Sequence, residues 1–347
     1  MLVESSGFFI NSTIFLLIMK SIGLLLEPQF ETRVGLLPPE IKKLKEKFDL
    51  HVFFESGIGQ KAGIDDKDYI IAGAEIASFK TILKKCDIII SINSPEYLDL
   101  ASEGKTFIGI YNPLYFRKRI DLFMHRKASL YSLDLLPRTT IAQSMDVLSS
   151  MSSLAGYKAV IKTADLFKSG FPMFTTAAGT LKPVHILVLG AGVAGLQAIA
   201  TAKRLGAVVA AFDVRKSAGE EVRSLGAEFI EIPGFKESDT AGGYAINQTH
   251  DYIEKQKEKI TEHLQKTSIV ICTANIPGKN APILIDEQMV RSMKPGSIIL
   301  DMASEQGGNC TLTKNNQTLD HNGITIIGDS HISREIPYAA SSLLSNN

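Results

Sequence analysis

The chain has 347 residues, in which 37 Lys and Arg side chains balance 37 Asp and Glu side chains. This length is typical of two domains, and the lack of net charge argues against nucleic acid as a partner. The three cysteines, Cys86, Cys272 and Cys310, lack metal-ligand spacing, which indicates unpaired thiols in a reducing, cytoplasmic compartment. Few aromatic residues and abundant Ala, Ile, Leu, Val and Gly favour an α/β fold.

The first residues of the chain are ambiguous. Residues 14–19 form a short apolar run that lacks the basic start of a signal peptide. No segment has the ~18 to 20 uninterrupted apolar residues of a membrane-spanning helix, so we expect a soluble chain. We interpret residues 1–18 as a dubious extension, with the folded part beginning near Met19, because residues 22–26 resemble an opening core strand.

Residues 19–147 alternate between strand and helix patterns. The predicted strands are 22–26, 51–54, 87–92, 107–111 and 128–133, and the predicted helices are 39–48 and about 115–126. This alternation predicts a first α/β lobe. The C-terminal residues 329–347 carry an apolar stripe at Ile336, Leu343 and Leu344, which we expect to pack back on that lobe and make it discontinuous.

Residues 148–328 are predicted to form a second lobe. A long helix at 148–167 carries the chain across, and strands follow at 184–189, 208–212, 228–232, 269–272, 297–301 and 324–327. Helices are predicted between most of these strands, which indicates a parallel, doubly wound sheet. The fold class is therefore α/β, with two Rossmann-like lobes and a cleft between them.

A glycine-rich turn lies at residues 190–195, where the sequence Gly-Ala-Gly-Val-Ala-Gly fits GxGxxG. The pattern is weak alone, but here it follows a strand, opens a helix, and is followed by a second strand that ends at Asp213. We expect the helix N-terminus to face a pyrophosphate and Asp213 to accept ribose hydroxyls, which favours NAD(H) over NADP(H). Arg215 and Lys216 weaken that preference. A glycine turn without a ligand and an FAD site remain alternatives.

A polar segment at residues 137–150 lies at the junction of the predicted lobes. Its cationic, amide and carboxylate side chains, Arg138, Gln143 and Asp146, have the chemistry to hold a nicotinamide ring and its ribose in one orientation. The alternative is structural, with Asp146 capping the following helix and Arg138 paired with it.

A third segment, residues 239–245, places two glycines beside Tyr244. Such a composition is found in hinged lids that cover a bound nucleotide, and equally in ordinary surface turns. The sequence contains no GxSxG, HExxH or Walker pattern, so neither a hydrolase nor a metalloenzyme is indicated.

Five segments together resemble the soluble NAD(H)-binding domain of proton-translocating transhydrogenase, within the alanine dehydrogenase/transhydrogenase superfamily. They are residues 142–157, 192–207, 240–245, 276–279 and 307–310. The similarity extends from about Met19 nearly to the C-terminus.

The resemblance implies a set of site residues. Arg138, Gln143, Asp146 and Ser149 would surround the nicotinamide and its ribose, and Tyr244 would lie on a mobile loop. The implied catalytic set is Arg138, Gln143, Asp146 and Tyr244, without a metal. The implied cofactor-binding residues are Arg138, Gln143, Asp146, Ser149, Gly190, Ala191, Gly192, Val193, Gly195, Asp213, Val214, Arg215, Gly243, Tyr244, Thr273, Ala274 and Asn275.

The resemblance also implies an activity. Hydride would pass directly between NAD(H) on this chain and NADP(H) on a partner domain, coupled to proton passage through membrane helices. The partners would be membrane-spanning subunits and an NADP(H)-binding beta subunit. The chain would be a homodimer on the inner face of the cytoplasmic membrane, active only with these partners.

Two alternatives stay open. Alanine dehydrogenase shares the two-lobe plan, and Arg33 matches its substrate arginine, but its lysine and histidine fall at Asn93 and Tyr111, which leaves no proton carrier. A nucleotide-binding protein without turnover is the other alternative, because the chain departs from the family pattern at residues 25–27 and 331–334. The chain also ends where relatives usually continue, so we expect a less stable first lobe.

Overall fold

A computed structural model describes residues 21–93, 103–137, 139–232, 250–276 and 278–347. The chain divides into two compact units, Met1–Met151 with Arg334–Asn347, and Ser152–Ser333. The predictions made for residues 1–18, Arg138, Gly243 and Tyr244 lie outside the described residues. No helix in the described part of the chain is long and apolar enough to cross a membrane.

The described residues of the first unit form a sheet of six parallel strands in the order β3-β2-β1-β4-β5-β6. The strands are β1 (Ser21–Leu24), β2 (His51–Phe54), β3 (Glu75–Ile76), β4 (Ile88–Ile90), β5 (Thr106–Gly109) and β6 (Ser129–Ser132). The helices are α1 (Pro38–Phe48), α2 (Asp66–Ile71), α3 (Phe79–Lys85) and α4 (Arg117–His125), followed by α5 (Val147–Leu166), which continues into the second unit, and the C-terminal α10 (Pro337–Asn346).

Both faces of this first sheet are buried. Neighbouring residues of β4 point to opposite faces, because side chains alternate along a strand. Ile88 packs in a cluster with Val52 and Tyr69, whereas Ile89 packs with Phe107 on the other side. Within the same unit, the C-terminal helix α10 joins the core through Leu344, which packs against Ile92 and Val147.

The second unit contains a larger sheet, whose described strands have the order β11-β10-β9-β12-β13-β15-β14. Its strands are β9 (His185–Leu189), β10 (Val208–Phe212), β11 (Glu228–Phe229), β12 (Ile269–Cys272), β13 (Ile298–Asp301), β14 (Gln317–His321) and β15 (Ile324–Gly328). Its helices are α6 (Val193–Arg204), α7 (Ala218–Ser224), α8 (His250–Leu264) and α9 (Glu287–Arg291), and β7 (Phe174–Thr176) with β8 (Gly179–Leu181) forms a separate hairpin.

Alternation along β9 explains why its four buried residues, 186–189, are all apolar. Ile186 and Val188 belong to one core cluster, together with Ala198 of α6, whereas Leu187 and Leu189 belong to the cluster on the opposite face. A parallel strand covered by helices on both sides needs an apolar residue at every position. The predicted fold class of two α/β units with parallel, doubly wound sheets is confirmed.

Some elements were not predicted. The strand β14 runs antiparallel to β15 at the edge of the second sheet, and the hairpin of β7 and β8 is exposed along its whole length. The short helices α2 and α3 are each capped by a side chain, Asp65 and Ser78 respectively. Short or exposed elements bury few apolar residues, so hydrophobic periodicity gives little signal for them.

Candidate functional site

The candidate site lies where β9 and its two neighbours end in the second sheet. β9 pairs with β10 on one side and with β12 on the other, so the chain changes direction across the sheet at this strand. In open α/β sheets, ligands bind outside the carboxyl ends of the strands at such a point. The structure brings together the predicted residues that follow these three strands, which are Gly190, Ala191, Gly192, Val193, Gly195, Asp213, Val214, Arg215, Thr273, Ala274 and Asn275.

The three glycines of the turn have different physical reasons to be glycine. Gly190 has a φ of +99°, and a Cβ there would lie 2.7 Å from Thr273 Oγ1. A Cβ at Gly195 would lie 1.9 Å from the Gly190 carbonyl oxygen, so α6 packs directly on the turn. At Gly192, by contrast, a Cβ would have no described atom within 4 Å. The turn is therefore closed against the protein at Gly190 and Gly195 and open at Gly192.

The opening at Gly192 coincides with the N-terminus of α6. Gly192 is the N-cap of this helix and provides no side chain to cap it. The first amides of a helix lack partners inside it and carry a partial positive charge. The open space at Gly192, beside these amides, is suited to an anionic group such as a pyrophosphate.

Asp213 lies directly after β10, with 8% of its side chain exposed. Its Oδ2 accepts from the Ala191 amide at 2.7 Å, which links the carboxylate to the glycine turn. Its Oδ1 accepts from the Arg215 amide at 2.8 Å and from Arg215 Nε at 3.0 Å. Arg215 Nη2 also donates to Asp213 Oδ2 at 3.1 Å. Arg215 therefore occupies lone pairs on both oxygens of the Asp213 carboxylate.

The segment that follows β12 closes the other side of the turn. Thr273 Oγ1 donates to the Gly190 carbonyl at 2.8 Å, and the Thr273 amide donates to the Leu189 carbonyl at 2.7 Å. Ala274 is partly buried, whereas Asn275 is exposed and its amide group lies 3.4 Å from Gln306 Oε1. This segment therefore shapes the glycine turn by direct hydrogen bonds.

Sequence reasoning gave no role to two buried polar residues beside this segment. Asn309 exchanges hydrogen bonds with the backbone of Ala274, and Asp301 at the end of β13 accepts from the Asn309 amide. Both residues are fully buried, and burial raises the pKa of the Asp301 carboxyl. The available signal in the sequence was a polar residue, Asp301, at the end of a buried strand, followed by the paired glycines Gly307 and Gly308.

The segment at residues 139–150 belongs to the first unit, whereas the glycine turn belongs to the second. Asp146 Oδ1 accepts from the Ser149 amide at 2.9 Å, and Oδ2 accepts from Ser149 Oγ at 2.7 Å. Asp146 therefore caps the beginning of α5, which is one part of the structural alternative that the sequence left open, and the other part, a pair with Arg138, lies outside the described residues. Gln143 begins a 3-10 turn, Gln143–Met145, and is exposed. The nicotinamide role of these residues stays a prediction.

Arg33, the match to a substrate arginine, is engaged within the first unit. Its Nε donates to Glu31 Oε1 at 2.7 Å, and its Nη2 donates to Glu31 Oε2 at 2.8 Å. Arg334 Nε donates to Glu31 Oε2 at 3.0 Å. Although burial opposes ionisation, hydrogen bonding and attraction from Arg33 and attraction from Arg334 lower the pKa of Glu31 to about 2. The Arg33 guanidinium is thus neutralised by Glu31 rather than presented to a ligand.

The two other positions that alanine dehydrogenase needs are also bound internally. Asn93 Nδ2 donates to Glu27 Oε2 at 3.1 Å and to Glu31 Oε2 at 3.0 Å. Tyr111 is fully buried, with its hydroxyl 3.2 Å from Ser91 Oγ, and burial raises its pKa above the ordinary value. A buried phenol with a raised pKa is a poor proton carrier near neutral pH.

Comparison with known proteins identifies the family. A family model described as "Alanine dehydrogenase/PNT, C-terminal domain" matches residues 159–347, and the corresponding N-terminal domain matches residues 25–155. The chain belongs to the alanine dehydrogenase/PNT family. This confirms the relationship that the sequence segments indicated.

Within this family, the chain is similar to transhydrogenase subunits over most of its length. It is 43% identical over 327 residues to the first portion of NAD(P) transhydrogenase subunit alpha of Rhodospirillum rubrum, covering 91% of this chain and 85% of that protein. A transhydrogenase structure from Sinorhizobium meliloti has a TM-score of 0.86 at 38% identity, covering 94% of this chain and 90% of the other. An alanine dehydrogenase of Methanococcus maripaludis is 27% identical, covering 80% of this chain and 70% of that protein.

Proposed function

We propose that this chain is the NAD(H)-binding component of a proton-translocating transhydrogenase. The observation that carries the proposal is the glycine turn, which is open at Gly192 and followed by a carboxylate at the end of the next strand. The turn occurs in a chain that is 43% identical to the first portion of a transhydrogenase alpha subunit. Both facts support an oxidoreductase that holds a nicotinamide dinucleotide in its second unit.

The residues of the second unit fit the dinucleotide by their chemistry. The first amides of α6 would face the pyrophosphate across the open space at Gly192. Asp213 would accept the ribose hydroxyls, and its negative charge would repel a 2′-phosphate, so NAD(H) is preferred over NADP(H). Val193, Val214, Ala274 and Asn275 would line the same strand ends.

Catalysis would consist of positioning. In the proposed reaction, hydride passes directly between NAD(H) on this chain and NADP(H) on a partner domain, so the protein needs no acid or base at the reacting carbons. Gln143, Asp146 and Ser149, together with Arg138, would fix the ring and ribose orientation. Gly243 and Tyr244 would contribute a covering loop.

The proposal includes partner chains. The Rhodospirillum rubrum relative is named as only the first portion of an alpha subunit, which supports further subunits for the present chain. We propose a membrane-spanning subunit, an NADP(H)-binding beta subunit and a homodimer of this chain. It would lie on the cytoplasmic face of the membrane, with hydride transfer coupled to proton translocation.

Amino-acid oxidation is disfavoured by the internal contacts of the first unit. A substrate carboxylate would have to compete with Glu31 for Arg33, which is bound by two short hydrogen bonds. A buried bidentate ion pair is costly to break, because each charge would lose its partner without regaining water. We therefore expect neither alanine oxidation nor pyruvate reduction with ammonia.

The proposal is tested by single-turnover transfer from NADH to an NADP⁺ analogue, with an NADP(H)-binding domain added to the purified chain. Gln143→Asn shortens one amide arm, so we expect NADH affinity within a few fold of the parent but transfer slowed at least ~10-fold, or ~1.4 kcal/mol of barrier. A parent chain that transfers no hydride, or that consumes NADH with pyruvate and ammonia, contradicts the proposal. If the Gln143 variant transfers hydride at the parent rate, the loop that contains Gln143 has only a structural role.

A further inference from the structure

Asn309 lies in a turn and reaches across to the segment after β12. Its Oδ1 accepts from the Ala274 amide at 3.1 Å, and its Nδ2 donates to the Ala274 and Pro282 carbonyls, each at 2.8 Å. Both amide hydrogens of Asn309 are therefore used. The Asn309 side chain thus bonds to both the amide and the carbonyl of Ala274, as the backbone of a neighbouring strand would.

Asp301 in turn fixes Asn309. Its Oδ2 accepts from the Asn309 amide at 2.7 Å and from Thr313 Oγ1 at 2.7 Å, and its Oδ1 accepts from the Ala303 amide at 3.0 Å. The preceding Gly308 has a φ of +82°, and a Cβ there would lie 2.7 Å from Asp301 Oδ2. This turn has little freedom to place Asn309 elsewhere.

Ala274 adjoins the glycine turn directly. Its amide nitrogen lies 2.8 Å from the position that a Cβ of Gly190 would take. The preceding Thr273 donates to the Gly190 carbonyl. A continuous series of contacts thus runs from Asp301 through Asn309 and Ala274 to the turn that opens α6.

We propose that Asn309, held by Asp301, is a positioning residue that sets the affinity of the glycine turn for the dinucleotide. This inference rests on the proposed function of the same site. Asn309 acts through Ala274 and not by touching the cofactor. Without the Asn309 side chain, the Ala274 amide and carbonyl lose these hydrogen bonds. The segment beside Gly190 can then adopt other conformations. Binding then costs additional ordering free energy.

The experiment uses the full chain, with NADH as the probe. Asn309→Ala is compared with Asn315→Ala, which removes a hydrogen bond to Ser304 near the same end of the sheet. Equilibrium NADH titration and amide hydrogen exchange at residues 273–276 are measured for both. We expect Asn309→Ala to raise the Kd for NADH about 10-fold, or about 1.4 kcal/mol. Exchange at Ala274 should become at least ~10-fold faster. Asn315→Ala should change neither.

Asn309→Ser provides the second variant, which keeps a small polar side chain and tests the proposal if the alanine variant does not fold. Its single hydroxyl can replace at most one of the bonds to Ala274, so we expect an intermediate rise in Kd of about 3-fold and partial protection of Ala274. A folded Asn309 variant that binds NADH within 2-fold of the parent overturns the positioning role alone. A parent chain that does not bind NADH overturns the proposed function and this inference with it.

Discussion

β1 in the first unit and β9 in the second occupy the same place in their sheets. Each is flanked by the following strand on one side and by the fourth strand of its sheet on the other. Beyond β9 the chain places glycines and leaves open space at Gly192, whereas the region beyond β1 and β4 is filled by Glu27, Glu31 and Asn93. The same topology therefore provides an open glycine turn in one unit and an internally satisfied charge cluster in the other.

The difference shows that sheet topology defines where a site can form, and side chains decide whether one does. At the end of β9, the glycine turn leaves open space at Gly192, the N-cap of α6. In the first unit, Arg33 and Arg334 are both bound to the buried carboxylate of Glu31. If this comparison is right, disturbing the first cluster should affect folding, and disturbing the glycine turn should affect binding.

The largest effect is expected for Glu31→Gln. This change leaves the Arg33 and Arg334 guanidinium groups buried or partly buried without their anionic partner, which typically costs about 3–5 kcal/mol. The measurement is the free energy of unfolding in urea. Glu103→Gln is the matched control, because Glu103 pairs with Lys127 on the exposed surface and should contribute less than about 1 kcal/mol. Equal effects of the two changes would show that the Glu31 cluster is not a structural centre.

The second prediction concerns pH and Glu27. Burial raises the pKa of Glu27 from 4.5 to about 7, although Asn93 and the Ile92 and Asn93 amides donate to its carboxylate. The folded chain thus holds this proton more tightly than the unfolded chain does. The resulting stability is present below pH 4.5 and is lost as the pH rises towards 7, by up to about 3 kcal/mol.

The neighbouring Glu31 acts in the opposite direction and in a different range. Its pKa is lowered to about 2, so its contribution is lost only as the pH falls below about 4.5. Stability curves of the parent and Glu27→Gln, measured from pH 4.5 to 8, should therefore diverge, with the parent falling more steeply. Parallel curves would show that Glu27 is ionised throughout this range.

The third prediction separates folding from binding within the glycine turn. In Gly195→Ala the new Cβ would collide with the Gly190 carbonyl, so we expect a loss of about 2 kcal/mol or more in stability together with loss of NADH binding. In Gly192→Ala the Cβ enters open space at a φ of −80°, and alanine is a weaker N-cap than glycine, so stability should fall by no more than about 1 kcal/mol. NADH binding should still weaken about 10-fold or more, because the methyl group fills the approach to the pyrophosphate. Thermal unfolding and NADH titration of both variants give the comparison, and parent-like binding by Gly192→Ala would contradict it.

Periodicity and glycine spacing made much of the second unit predictable. β10 and β12 match their predicted bounds, and Asp213 follows β10 as expected, because buried parallel strands leave continuous apolar runs.

The charge cluster was less predictable. Glu31 and Arg33 are two residues apart, but Asn93 and Arg334 meet them only through the fold. Likewise, the contact of Asn309 with Ala274 joins residues 35 positions apart, and a single sequence contains no local signal for such a pair.

The smallest expected effect concerns Arg215, whose side chain competes with a ligand for the Asp213 carboxylate. Asp213 already accepts from the Ala191 and Arg215 amides and from two nitrogens of the Arg215 side chain. A carboxylate offers about four lone-pair sites, so ribose hydroxyls must displace a donor. The partly exposed Arg215 side chain yields more easily than the two backbone amides, since exposed ion pairs contribute only ~0–1 kcal/mol.

Substitutions at Asp213 and Arg215 should therefore act in opposite directions. Asp213→Ala should weaken NADH binding by ~1–3 kcal/mol, because charge-assisted bonds are lost. Arg215→Ala should strengthen NADH binding about 2- to 3-fold, and the double variant should resemble Asp213→Ala, since Arg215 competes with the ribose for the Asp213 carboxylate. NADH titration of the three variants completes the cycle. If Arg215→Ala weakens binding as much as Asp213→Ala does, then Arg215 itself contacts the nucleotide, and the second unit binds its ligand through a side-chain cation as well as through its open turn.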